Sequence, residues 1–197
     1  MSTPDERAGA FLAFITYLRI ALTPVVMAMV LARDTAAWVD PTAAALFAIA
    51  AATDFADGRL ARRWKKTSTF GSFLDTAADK LLVSGVVLAL VEVGRVSAWI
   101  AFVIVGRELL IMGLRGAVSA SDGIVVTPSM WGKWKATVQF VAITMAVWRP
   151  DVHIGEWYLD QWLMAIAAVI TIVSAAQYLV RFLAVLSGRD HAAPGSG

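Results

Sequence analysis

Six apolar runs of membrane-crossing length follow one another along the chain, at roughly 11–32, 41–64, 70–92, 97–120, 132–149 and 160–187. A helix needs about 20 apolar residues to cross the hydrocarbon of a bilayer. Backbone polar groups must satisfy each other there, so runs of this length read as helices. The breaks between them carry turn chemistry: Asp40-Pro41, Val93-Gly94-Arg95, Thr127-Pro128 and Arg149-Pro150. The second run is apolar only to Thr53 and then turns polar. Composition agrees. Hydrophobic residues make up 59% and charged residues 16%, with a mean hydropathy of +0.70. Soluble domains carry about 25% charged residues. The expected fold class is therefore all-α integral membrane, with six transmembrane helices in one domain over residues 1–190. The small, polar, Pro/Gly-rich tail 191–197 is expected to be disordered, and no cleavable signal peptide is evident. With no cysteine, disulfides, zinc-thiolate sites and thiol nucleophiles are excluded. A net charge of +2 gives no reason to expect a nucleic-acid partner.

Basic residues set the orientation. One side receives Arg62, Arg63, Lys65, Lys66, Arg115, Lys133, Lys135, Arg181 and Arg189. The other receives Arg33, Arg95 and Arg149, diluted by Asp34, Asp40, Glu92, Asp151, Glu156 and Asp160. Both termini and the connections at 65–69 and 120–131 are thus expected in the cytoplasm. Trp38, Trp99, Trp148, Trp157 and Trp162 fall near predicted helix ends, as interfacial anchors do.

Within this apolar frame, DFADGRLARRWKKTSTFGSFLDTAADK over residues 54–80 holds four aspartates. On a helix, Asp54, Asp57, Gly58, Ala61 and Arg62 share one face, and so do Gly71, Asp75 and Asp79. A short connection between the two helices predicts an antiparallel hairpin with two carboxylates on each arm. Clustered carboxylates repel, so protons or cations must neutralise them. Carboxylate-only ligation suits the hard ions Mg2+ or Mn2+. Four carboxylates suffice for two ions about 3.5–4 Å apart, the spacing that clamps a phosphoryl group in transfer. Gly58, Ala61 and Gly71 leave room for a bulky ligand beside the carboxylates, or serve close helix packing. Arg62 has a forked donor suited to phosphate. Arg63, Lys65 and Lys66 read as membrane-surface charges. Intramembrane carboxylates are otherwise functional by default.

The pattern D54-x2-D57-G58-x2-A61-R62-x8-G71-x3-D75-x3-D79 resembles, in every position and spacing, the signature of the CDP-alcohol phosphotransferase family. That resemblance implies six transmembrane helices around a polar cavity open to the cytoplasm. It implies two divalent cations on Asp54, Asp57, Asp75 and Asp79, and Asp79 as the base that activates the acceptor hydroxyl. Gly58, Ala61, Arg62, Ser68 and Gly71 would embrace the CDP moiety of the lipid donor. The resemblance also implies an integral protein of a bacterial-type inner or plasma membrane, in contact with membrane lipids, and suggests a homodimer.

Further segments resemble the phosphatidylglycerophosphate synthases of that family. These are Arg107-Glu108 with Leu114-Arg115, the Gly132-Lys133-x-Lys135-x-Thr137-x-Gln139 stretch, and Thr16, Arg19 and Pro24 in the first run. The similarity covers roughly residues 14–140, and the last helices look generic. Two departures stand out: an Asn-containing stretch usually preceding the first threonine is missing, and Thr76 replaces a proline in LDTAADK. The resemblance implies CDP-diacylglycerol and glycerol 3-phosphate as substrates. Arg107, Arg115, Lys133 and Lys135 are candidates for the acceptor's phosphate, with Thr16, Arg19 and Glu108 supporting. Arg107 lies about 15 Å along the fourth run, near mid-membrane, where a lone arginine is costly. The alternative for Arg107 and Glu108 is a structural ion pair, and for Arg115, Lys133 and Lys135 it is topological anchoring. Competing functions are the same chemistry on inositol phosphate or phosphatidylglycerol, an aspartate-rich prenyltransferase, and a divalent-cation transporter. The glycine-alanine-arginine scaffold disfavours the prenyltransferase. Carboxylates clustered toward one end of a hairpin disfavour a transport pathway.

Overall fold

The computed structural model of the protein describes residues 4–64, 69–119 and 130–186, with side chains for 13–53, 71, 73–114, 116 and 136–183. The tail 191–197 and most of the connections at 65–69 and 120–131 lie outside the described residues. Six long helices account for nearly all of the described chain: α1 (Pro4–Leu31), α2 (Val39–Trp64), α3 (Thr69–Glu92), α4 (Ala98–Ser119), α5 (Met130–Trp148) and α6 (Leu159–Leu186). Their bounds follow the apolar runs within a few residues, except that α1 starts earlier. A proline at the first helical position, followed by Asp5 and Glu6, suits a helix N-terminus. The polar head therefore extends the helix beyond its apolar part.

Between α5 and α6 the chain makes a small antiparallel hairpin, β1 (His153–Ile154) and β2 (Trp157–Tyr158), turning at Gly155 with φ +68°. The sequence reading expected only a break at Arg149-Pro150. Strands of two residues carry too little alternation to read from sequence.

The helices pack as a closed ring in the order α2, α1, α3, α4, α6, α5 and back to α2, with α3 also touching α5 across the middle. The turn of the expected α2–α3 hairpin lies mostly outside the described residues. Helices α2 and α3 are consecutive in sequence, but α1 packs against both and joins them. The α1–α3 contact is close because Gly85 lacks a side chain. A Cβ there would sit 2.7 Å from Met27 Sδ and 3.0 Å from Thr23 Cγ2.

The apolar core fills one half of the ring. It takes Val26 and Val30 from α1, Phe47 from α2, Leu82, Val86 and Leu90 from α3, Ile104 from α4, Ile143 and Val147 from α5, and Met164 from α6. That end is fastened by Arg95, which pairs with Asp40 and donates to the Val147 carbonyl at 2.6 Å. A cation is favourable at the C-terminus of α5, where carbonyls lack helical partners. Trp38, Trp99, Trp148, Trp157 and Trp162 are all exposed or partly exposed at this same end.

The distribution of polarity is inverted relative to a water-soluble bundle. Phe102, Val169, Val180 and Trp99 are outward and more than 60% exposed, whereas Arg19, Glu108 and Asp160 are at most 3% exposed. Among the described residues, two stretches are long and apolar enough to cross a membrane: Ala13–Leu31, with a mean hydropathy of 1.9, and Leu159–Leu183, at 2.1. Val39–Thr53 and Ala136–Trp148 are apolar but shorter.

Replacing Gly85 by valine should force α1 off α3 and cost about 1–3 kcal/mol, the usual range for overpacking. Thermal unfolding in detergent checks this. An unchanged melting temperature would mean the contact yields freely.

Candidate active site

The half of the ring without the apolar core is where the polar side chains gather. Asp75 and Asp79 are one helical turn apart on α3 and face the same way. Asp75 Oδ1 accepts hydrogen bonds from Arg19 Nη1 at 3.1 Å and Thr16 Oγ1 at 3.4 Å, both on α1. Arg19 is 1% exposed and also donates through Nε to the Ala50 carbonyl of α2 at 3.3 Å. One guanidinium thus ties three helices at the level of the carboxylates. Thr16 and Arg19, expected to support the site, do meet one of its aspartates.

Asp79 is held from the other direction. Its Oδ2 lies 2.6 Å from Lys80 Nζ, and Lys80 Nζ lies 2.7 Å from Glu108 Oε2 on α4. Glu108 Oε1 accepts from Arg107 Nη1 at 3.0 Å, and Arg107 Nη2 donates to Ser174 Oγ on α6 at 3.2 Å. The run Asp79–Lys80–Glu108–Arg107 alternates in sign and sums to zero charge. Buried charges are tolerated when each has an oppositely charged, hydrogen-bonded neighbour. Arg107 and Glu108 therefore form an ion pair. It does not exhaust the arginine, because a guanidinium has five N–H donors and these two bonds use two. Arg107 Nε is buried without a partner among the described residues.

Asp79 Oδ1 is likewise buried and unpartnered among the described residues. An orphaned buried acceptor costs about 1–3 kcal/mol, and more when charged. Asp75, by contrast, keeps 39% of its side chain exposed. An open carboxylate beside one with a bare oxygen suits a hard cation bound through oxygen. No group of three or more potential ligands occurs among the described residues. Asp54 and Asp57 stand in the continuous helix α2, but their side chains lie outside the described set, as do those of Gly58, Ala61, Arg62, Arg115, Lys133 and Lys135. Ser68 lies outside the described residues altogether. Gly71 is on the first turn of α3 and exposed.

Two participants escaped the sequence reading. Lys80 follows Asp79 inside an otherwise apolar helix, and an ammonium in such a helix is itself a functional signal. Ser174 is a single hydroxyl in a long apolar helix and carries no signal of its own. Gln139, within the resembling stretch on α5, is 4% exposed with Oε1 unpartnered among the described residues.

Residues 13–173 match the family model described as CDP-alcohol phosphatidyltransferase. Similar curated proteins carry the name CDP-diacylglycerol–glycerol-3-phosphate 3-phosphatidyltransferase. The one from Haemophilus influenzae is 36% identical, over 84% of this chain and 89% of its own length. That of Salmonella typhimurium is 39% identical over 73% of this chain and 79% of its own. That of Shigella flexneri is 36% identical, over 84% and 90%.

Replacing Arg19 by methionine should lower unfolding free energy in detergent by about 1.5–3 kcal/mol, the range for hydrogen bonds to a charged group. A loss under about 0.5 kcal/mol, the scale of an exposed pair, would contradict the bridging role.

Proposed function

The chain belongs to the CDP-alcohol phosphatidyltransferase family, and from that premise we propose that it transfers the phosphatidyl group of CDP-diacylglycerol to sn-glycerol 3-phosphate, releasing phosphatidylglycerol phosphate and CMP. The observation that carries the choice of acceptor is likeness across most of the chain to enzymes named for that reaction. The partly buried Arg107, with three N–H donors uncommitted by its bonds to Glu108 and Ser174, supports an anionic acceptor.

The protein crosses the membrane six times, with both termini and the site facing the cytoplasm. The inverted polarity of the ring and the basic residues at one end support this orientation. The donor's acyl chains remain in the bilayer against the apolar outer surface. Gly58, Ala61, Arg62, Ser68 and Gly71 receive the CDP moiety. Arg107, Arg115, Lys133 and Lys135 receive the phosphate of the acceptor.

Asp54, Asp57, Asp75 and Asp79 would hold two divalent cations, Mg2+ or Mn2+. When bound, such ions withdraw charge from the diphosphate and stabilise CMP as the leaving group. Arg19 and Thr16 fix the orientation of Asp75. Lys80 occupies one oxygen of Asp79 and leaves Oδ1 to take the proton from the glycerol 1-hydroxyl. As that proton leaves, the hydroxyl oxygen bonds to the β-phosphorus and the bond to CMP breaks. A carboxylate is a weak base, so positioning supplies much of the rate. The attack is a direct displacement. There is no cysteine, and His153, on the small hairpin at the opposite end, is too remote to assist.

Purified protein given CDP-diacylglycerol and Mg2+ should release CMP with glycerol 3-phosphate, and a chelator should stop it reversibly. Release with inositol phosphate but not glycerol 3-phosphate would overturn the acceptor assignment. Asp79→Asn should lower kcat by about 100- to 10,000-fold, the range for general acid–base groups. Near-normal turnover would remove Asp79 as the base.

A further inference from the structure

We propose that Lys80 and Glu108 are positioning residues that couple the acceptor's phosphate site to the reacting carboxylate. The proposal rests on the reading of Asp79 and Arg107 given above. Its geometry is independent of what the acceptor is. Glu108 is 3% exposed and uses both of its oxygens: Oε1 receives Arg107 Nη1 at 3.0 Å, and Oε2 receives Lys80 Nζ at 2.7 Å. Lys80 spans the remaining gap with a second bond of 2.6 Å to Asp79 Oδ2. A buried carboxylate on α4 thereby joins two cations whose other contacts are on α6 and α3.

The direction of each side chain follows from these bonds. Asp79 has two oxygens, and the bond to Lys80 selects which one stays free. Arg107 is fixed at both ends of its fork, by Glu108 and by Ser174, which sets where its remaining N–H groups point. Charge-assisted bonds are short and directional, so a rotation at one end of the run cannot occur without breaking the next bond. Neither Lys80 nor Glu108 has to touch a substrate for this to matter. Held together, an acceptor phosphate at Arg107 and a proton acceptor at Asp79 keep a fixed separation. That is what a near-attack geometry needs.

The test uses the full chain in detergent, with Lys80→Met, Lys80→Arg, Glu108→Gln and the Lys80→Met/Glu108→Gln double variant. The variants are assayed with whichever alcohol supports CMP release by the parent protein. Lys80→Met and Glu108→Gln should each lower kcat/KM for the acceptor by about 10- to 100-fold, the loss expected on breaking a hydrogen bond to a charged group. Apparent KM for CDP-diacylglycerol should stay within about 2-fold, because neither residue faces the donor in this reading. The double variant should cost little more than the worse single one, since residues in one network are not additive. Lys80→Arg should recover part of the loss. Binding of radiolabelled acceptor, measured without turnover, should weaken in Glu108→Gln. Wild-type kcat/KM in Lys80→Met would overturn the proposal, and so would a double-variant loss equal to the product of the single losses. If Lys80→Met fails to fold, Glu108→Gln and Lys80→Arg decide the matter through the same kcat/KM and binding readouts. Failure of glycerol 3-phosphate alone would sink the acceptor assignment and leave this coupling to be judged on the working acceptor. No CMP release with any alcohol would sink both.

Discussion

The guanidinium of Arg19 is the interaction on which the polar half of the molecule depends. It is almost wholly withdrawn from solvent, yet it reaches a backbone carbonyl on α2 and a carboxylate on α3. An arginine so placed is costly unless it is paired and hydrogen-bonded. The pairing therefore constrains three helices at once. It packs α1 against both α2 and α3. It also holds Asp75 at the open face of the ring, where 39% of its side chain remains accessible.

From that constraint follows a division of labour along the bundle. Small and branched apolar residues close one half, and Arg95 with Asp40 fastens its end. In the polar half, charges are balanced locally rather than solvated: Arg19 against Asp75, Lys80 between Asp79 and Glu108, Arg107 against Glu108. The bare oxygen of Asp79 and the uncommitted N–H of Arg107 are exceptions to that balance. Buried polar atoms without partners are candidates for groups that ligands complete. Both lie on groups proposed for the reaction, Asp79 as the proton acceptor and Arg107 at the acceptor's phosphate.

Much of this was legible in the sequence because its signals are local. Helix bounds follow from apolar length and from the Pro and Gly breaks. The shared face of Asp75 and Asp79 follows from spacing on one helix, Arg107 stood out as an arginine at costly depth, and Thr16, Arg19 and Glu108 stood out through the family resemblance. What was not legible depends on contacts between distant segments. Ring order is decided by pairing of whole helices, and the close approach at Gly85 shows up only when α1 is in place. Lys80 passed as the end of an aspartate motif, although its two carboxylate partners come from different helices. Ser174 matters only because Arg107 reaches across from α4. The two-residue strands before α6 are too short to leave a periodic trace.

The central claim is that α2 and α3 bring four carboxylates to one place as a paired-cation site. Electron paramagnetic resonance of the purified protein titrated with Mn2+ tests it directly. The account predicts two Mn2+ per chain with an exchange-coupled signal, as expected for ions about 3.5–4 Å apart. Asp75→Asn should abolish the coupling. A single uncoupled Mn2+ per chain, or binding unaffected by Asp75→Asn, would contradict it.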